Sequence, residues 1–283
     1  NPSRNVQIST SVTSSANGYD NSIVILLHDY TRELLIDKMK AEFISSATHN
    51  LKTPITAITG YSELLQTTTD LSDEDTSDFI NLINEKAWEL DALVNNMLDI
   101  NRAEAGRKIN LTKSTIPVSA VFDRLQQYCT QQPDASRFSF ELHNSGCQLR
   151  IDTNKVAQAL ENIIDNAIKF SPKATIININ GKRMDADDNN EIKKLADPDN
   201  HGYLVSISDA GVGMTSSQCQ KIFEKFYRVD TSDSAPCGIG LGLTLTKNII
   251  EAHGGKIWAT SIPDQGTTLS FYLPISDTAE HEY

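Results

Sequence analysis

Apolar positions recur with a period near two over roughly the first thirty residues. They then recur at alternating steps of three and four to about residue 104, and in mixed fashion beyond it. Over residues 1–30, Val6, Ile8, Ile23, Ile25 and Leu27 alternate imperfectly around an Asn17-Gly18 turn signal, which predicts strand, turn, strand. This hairpin is too small to bury a core and reads as the end of a larger domain. Residues 31–68 predict one long helix, with Leu51, Ile55, Ile58 and Leu65 on a stripe whose polar member is Ser62. A second helix is predicted over about 74–104, where Ile80, Ile83, Ala87, Leu90, Val94 and Met97 keep the spacing of a packed helical seam. Thr69 to Asp73 supply the connection, Ser72 or Asp73 can cap the second helix, and Ala105-Gly106 ends it. Two helices cannot bury both stripes by themselves, so the pattern predicts an antiparallel hairpin that dimerises into a four-helix bundle.

From about residue 110 strands and helices mix. Strands are expected at 111–116, 138–142, 175–180, 203–208, 255–261 and 267–273, and helices at 118–129, 153–170 and 241–253. Lys182 to Asn200, rich in Asp and Asn, reads as a solvated loop. The fold class is therefore an all-α hairpin followed by an α+β sandwich. The expected domains are 1–30, 31–106 and 110–276, with a tail at 277–283.

Bulk properties narrow the partners. A chain of 283 residues can hold two cores. Its 25 basic and 37 acidic residues leave a net charge of −12, which argues against a general nucleic-acid binder. The apolar run Ile23 to Leu27 is far too short to cross a bilayer, and no signal peptide opens the chain. The expected location is cytoplasmic. A start at Asn1, without methionine, suggests a piece of a longer protein, and a membrane anchor upstream is compatible with that. Cys129, Cys147, Cys219 and Cys237 show no metal-ligand spacing and read as free thiols.

Candidate chemistry gathers in the last third. Asn162 and Asn166, four apart on a helix, face one way, and amide oxygens are hard ligands suited to Mg²⁺. Lys169 adds a cation one turn on. Asp209, with Gly211 and Gly213 after it, follows an apolar strand: the carboxylate can accept from an exocyclic amine such as adenine's, and the glycines let a flat base approach the backbone. Gly238, Gly240 and Gly242 open the next predicted helix, where backbone N–H groups and the positive dipole end suit phosphates.

In order and spacing, Asn162 to Phe170, Asp209 to Gly213, Phe223 to Arg228 and Gly238 to Leu243 resemble the N, G1, F and G2 boxes of sensor histidine kinases. Gln265-Gly266-Thr267-Thr268 resembles the last glycine motif of that ATP-binding domain. His49-Asn50-Leu51-Lys52-Thr53-Pro54 resembles the family's phospho-acceptor box, and His28 to Thr31 resembles the exit of a PAS sensor domain. The resemblance covers about residues 31–275. It implies the α/β sandwich shared with chaperone and topoisomerase ATPases, with ATP and Mg²⁺ as cofactors. By position it implies Asn166 as main Mg²⁺ ligand assisted by Asn162, Lys169 and Arg228 on phosphate oxygens, Asp209 on adenine, Phe170 as a wall to the base, and Thr267 in the last glycine motif. Met214 to Cys237 would be a lid, anchored by Phe223 and Phe226.

The same resemblance implies that His49 takes the γ-phosphoryl group and passes it to an Asp of a response-regulator receiver domain, with Thr53 placed for dephosphorylating that partner. Asn50 stands where the family has Glu or Asp. It can orient the imidazole but cannot usefully take its proton. Pro54 removes a helical N–H beside His49, which predicts a kink there. The alternatives are a kinase-impaired, phosphatase-biased or scaffold protein, and a chaperone- or mismatch-repair-type ATPase.

Overall fold

A computed structural model describes residues 4–14, 21–68, 70–104, 109–144, 146–184, 202–229 and 240–276. The contacts divide the chain into two compact units, Asn1–Asn50 and Leu51–Tyr283.

In the first unit β1 (Val6–Ser14) and β2 (Asn21–Asp29) pair antiparallel in continuous register, from Val6 opposite Asp29 to Ser14 opposite Asn21. The predicted hairpin is present, and its Asn17-Gly18 turn lies outside the described residues. Thr31 starts α1 (Thr31–Thr67), where its N–H and its hydroxyl both donate to the Asp29 carboxylate. The helix runs unbroken through Pro54.

In the second unit α2 spans Asp73–Glu104. Ser72 caps it: its hydroxyl accepts the Asp75 N–H at 3.0 Å and donates to the Asp75 carboxylate. The Tyr61 and Phe79 rings, 5.4 Å apart between centroids, pack the hairpin near its turn. The expected Ala105-Gly106 terminus lies outside the described residues.

The remaining elements are β3 (Ser114–Pro117), α3 (Val118–Thr130), β4 (Phe138–Leu142), β5 (Gln148–Ile151), α4 (Thr153–Phe170), β6 (Ile177–Met184), β7 (Gly202–Asp209), α5 (Ser216–Lys221), α6 (Gly242–Ala252), β8 (Lys256–Ile262) and β9 (Gly266–Pro274). Five strands form a mixed sheet in the order β4-β6-β7-β9-β8, parallel only between β4 and β6. Strands β3 and β5 make a separate antiparallel pair. Helix α4 packs on α3, α6 and β7. Its Val156, Leu160, Ile163, Ile164 and Ala167 are buried with Phe122, Ile179, Ile207 and Ile249 in the main core. Fully burying one such aliphatic side chain contributes about 1.5–3 kcal/mol. Met184, Leu204 and Tyr272 form a second apolar cluster, joined by Trp258.

Several boundaries differ from expectation, each for a tertiary reason. The strand expected at 111–116 starts only at Ser114, because the Thr112 N–H is spent on the Asp152 carboxylate at 2.8 Å. Strand β6 reaches Met184, past the start expected for the polar loop, because Lys182, Arg183 and Met184 pair with Leu204, Tyr203 and Gly202. The rest of that loop, 185–200, lies outside the described residues. Strand β5 and helix α5 were not expected. Four and six residues carry too little periodicity to show in a sequence.

A buried histidine ties α6 to α4. The Asp152 side chain caps α4 by accepting from the Asn154 and Lys155 N–H groups, and the Asp152 N–H donates to His253 Nε2 at 2.9 Å. His253 Nδ1 lies 2.8 Å from the Ile249 carbonyl, so the ring is neutral with its proton on Nδ1. Burial pushes the His253 pKa below 6.5. Lys113 acts in the same direction, and the Ile249 carbonyl and Asp152 act against it. A lowered folded-state pKa means the contribution is full above the unfolded value and is lost as pH falls from there through the lower folded value. The stability difference between wild type and His253→Gln, read by urea melts, should therefore shrink as pH drops below about 6.5. A difference independent of pH would contradict the neutral lock.

Candidate functional site

One face of α4 carries the polar residues expected from the sequence. Asn162, Asp165, Asn166 and Lys169 fall at helical steps of three and four, and all line one cavity of about 750 Å³. That size suits a small-molecule ligand. Phe170, Asp209, Gly213, Arg228, Gly240, Gly242 and Thr267 share its wall. Gly211 is buried against the Phe170 carbonyl and is not part of the wall, and Gly238 lies outside the described residues.

The amide groups are held by their nitrogens. Asn166 Nδ2 donates to the Asn162 carbonyl at 2.9 Å, and Asn162 Nδ2 reaches the Gly242 carbonyl at 3.5 Å. The oxygen ends are then the ligating ends, which fits a hard cation that takes its other ligands from phosphate and water. Among the described residues no cluster of three or more His, Cys, Asp or Glu could hold a metal. A metal here would therefore depend on the amides and on its substrate. Lys169 Nζ stands 5.3 Å from the centroid of the Phe170 ring.

The loop after β7 is built on close backbone approaches. The Asp209 carboxylate accepts the Gly211 N–H at 2.8 Å and also the Thr267 N–H. Burial pushes its pKa up, and those two bonds oppose the shift. A Cβ at Gly211 would stand 2.4 Å from the Phe170 carbonyl oxygen. Gly213 has φ +63°, and a Cβ there would stand 2.0 Å from the Ile262 carbonyl oxygen. Asp209 is thus presented at the end of a strand, and the Gly211–Gly213 backbone that follows it is wedged between the ends of α4 and β8.

The segment expected as a lid begins with an ordered turn. Thr215 and Gln218 form a reciprocal capping box at the start of α5. Phe226, at φ 64°, donates its N–H to the Gly240 carbonyl at 3.2 Å, and Thr244 Oγ1 donates to the Phe223 carbonyl at 3.1 Å. Both rings are half-buried, and Ile222 is buried. Residues 230–237 lie outside the described residues.

Sequence reasoning missed part of the wall. Leu93, Asn96 and Met97 of α2 line the cavity, as do Asp165, Ile222 and Tyr227. Helix α2 is held there by Lys155 to Asp99 and by Gln158 to Asn96, from the same α4 face one and two turns before Asn162. Asp99 is 7% exposed. Helical arithmetic applied to Asn162 and Asn166 would have flagged Asp165, whereas nothing local marks Asn96 or Asp99. Asp165 accepts the Tyr128 hydroxyl hydrogen bond, and burial raises its pKa against that bond and Lys169.

On α1, His49 and Thr53 are exposed, Asn50 is half-buried and Pro54 is buried. They belong to the helical hairpin and not to the cavity wall.

Two family models match the chain: "His Kinase A (phospho-acceptor) domain" over residues 39–106, and "Histidine kinase-, DNA gyrase B-, and HSP90-like ATPase" over 151–277. The chain is 28% identical over 283 residues to "Sensor histidine kinase WalK" of Bacillus subtilis (strain 168), covering 98% of this chain and 44% of that protein. It is 27% identical over 258 residues to "Sensor protein kinase WalK" of Staphylococcus haemolyticus (strain JCSC1435), covering 91% of this chain and 40% of that protein. The chain therefore spans under half the length of these relatives. Among solved structures, full-length ShkA in complex with AMPPNP aligns with TM-score 0.57 and 21% identity, over 85% of this chain and 47% of that one. The Acinetobacter baumannii histidine kinase AdeS aligns with TM-score 0.52 and 18% identity, over 81% and 98%. These two likenesses speak for the fold.

An ionised Asp209 carboxylate would serve as the acceptor for an adenine amine. Asp209→Asn should weaken ADP binding by about ten- to a hundredfold, the worth of a hydrogen bond to a charged group, measured by titration calorimetry. Because its pKa is raised, wild-type affinity should also fall on acidification earlier than an ordinary carboxylate would allow. Asp209→Asn should lack that acid limb.

Proposed function

The chain belongs to the sensor histidine kinases of two-component systems, and on that premise we propose that His49 is phosphorylated from ATP and donates the phosphoryl group to a response regulator. The observation that carries this reading is the convergence of Asn162, Asn166, Lys169, Asp209, Arg228 and the Gly240–Gly242 turn on one cavity, in a chain whose α1 bears an exposed histidine. Adenine is read by Asp209 against Phe170. Lys169, Arg228 and the N-terminus of α6 meet the phosphates. Asn166 and Asn162 would hold Mg²⁺, which when bound neutralises phosphate charge and orients the γ-phosphoryl group. His49 Nε2 attacks the γ-phosphorus in line. The bond to the β,γ-bridging oxygen breaks, and ADP leaves. The imidazole must shed its Nδ1 proton as the N–P bond forms.

The phosphohistidine then transfers to an Asp of a receiver domain, docked on the bundle face around Ile58, Tyr61 and Ser62. The bundle is a homodimer in this reading. Ile55, Ile80 and Val94 of the two predicted seams are 47%, 47% and 42% exposed in the single chain, and a second copy would cover them. The β1–β2 ribbon is read as the tail of a PAS-like sensor domain.

A second reading has two residues in its favour. Asn50 stands beside His49 without a proton-accepting carboxylate, and Thr53 is exposed one turn on. A phosphatase-biased protein would show this combination.

Incubation with γ-labelled ATP and Mg²⁺ should give acid-labile, base-stable label in wild type and none in His49→Ala. ATP hydrolysis without such label would favour the ATPase alternative. Asn50→Glu should speed labelling by about 10²–10⁴-fold, the usual worth of general-base help. An unchanged rate would mean that another base acts.

A further inference from the structure

A buried arginine outside the cavity supports the turn on which the adenine-reading loop rests. Arg137, 5% exposed, is the last residue of a single 3-10 turn, directly before β4. Its Nε donates to the Thr175 carbonyl at 2.9 Å, and its Nη2 donates to Ser171 Oγ at 2.6 Å and to the Pro172 carbonyl at 2.9 Å. Ser171 in turn donates to the Ala167 carbonyl inside α4. The third nitrogen, Nη1, is buried with no hydrogen-bond partner among the described residues, 3.8 Å from Asp134 Oδ2. A guanidinium is costly to bury, and a rigid fork spending three bonds on one turn fixes that turn in position and rotation.

What that turn carries is the Phe170 carbonyl. This oxygen accepts the Val212 N–H at 3.4 Å, and it lies so near Gly211 that no Cβ fits between them. The Gly211 N–H is in turn bonded to the Asp209 carboxylate. Side chain and backbone thus connect without a gap from Arg137 through Ser171 and Phe170 to Asp209. We propose that Arg137 is a positioning residue for base recognition, setting the height of the Asp209–Gly213 loop from beneath the C-terminus of α4. It touches neither the base nor the phosphates. The inference rests on the adenine-reading role of Asp209.

The test is calorimetric binding of ADP, GDP and inorganic tripolyphosphate to wild type, Arg137→Met, Arg137→Lys and Ser171→Ala, with thermal melts alongside. Arg137→Met should lose on the order of tenfold in ADP affinity, short of the roughly 10²-fold cost of a full 1 Å misplacement. Tripolyphosphate affinity should hold, so preference for ADP over GDP falls. Arg137→Lys should recover part of the loss, because an ammonium can make some of the three bonds. Ser171→Ala, the milder change should Arg137→Met fail to fold, should shift the ADP-to-GDP ratio in the same direction. Folded variants with an unchanged ADP-to-GDP ratio, or an equal loss for ADP and tripolyphosphate, would overturn the proposal. Wild type that binds tripolyphosphate but shows no preference for ADP over GDP would instead remove the base-reading role on which it rests.

Discussion

Three backbones meet where β7 ends, at separations that leave no room for a side chain. The Phe170 carbonyl lies against Gly211, the Ile262 carbonyl against Gly213, and the Asp209 carbonyl against Gly266, where an added Cβ would stand 2.4, 2.0 and 2.0 Å away. At such distances a strand end, a helix end and a hairpin become one rigid support. Asp209 inherits its orientation from that support, and its carboxylate is bonded to backbone N–H groups on either side. The cavity then forms between this support and the polar face of α4.

That face does two jobs along its length. Its C-terminal half presents Asn162, Asn166 and Lys169 to the cavity, and its N-terminal half holds α2 through Lys155 and Gln158. Helical periodicity makes this unavoidable, since residues spaced by three and four share a side. The consequence is that α2, part of the helical hairpin, closes one wall of a cavity otherwise built by the α/β domain. Binding in the cavity and the seat of α2 are therefore physically adjacent.

Most of the element order was legible because long elements repeat their pattern many times. The helix 153–170 was read to the residue, as was the strand 138–142. Most of the cavity's polar lining was legible too, because it is written in residue types that chemistry restricts: paired amides on a helix, a carboxylate before glycines, glycines opening a helix. What escaped was short or distant. Strand β5 has four residues and exists because β3 pairs with it. The Lys155–Asp99 pair joins residues 56 apart, and no local feature of either announces the other.

By itself the sequence determined the periods, the caps and the chemical inventory, since these depend on neighbours a few positions away. On that ground alone the cap of α2 narrows to Ser72 or Asp73, and Asn162 and Asn166 fall on one side of a helix. The tertiary structure decided where strands stop, which wall α2 supplies, and how Arg137 supports a loop more than seventy positions downstream. Those outcomes depend on burial and on hydrogen bonds between segments that only folding brings within reach, and no local pattern encodes them.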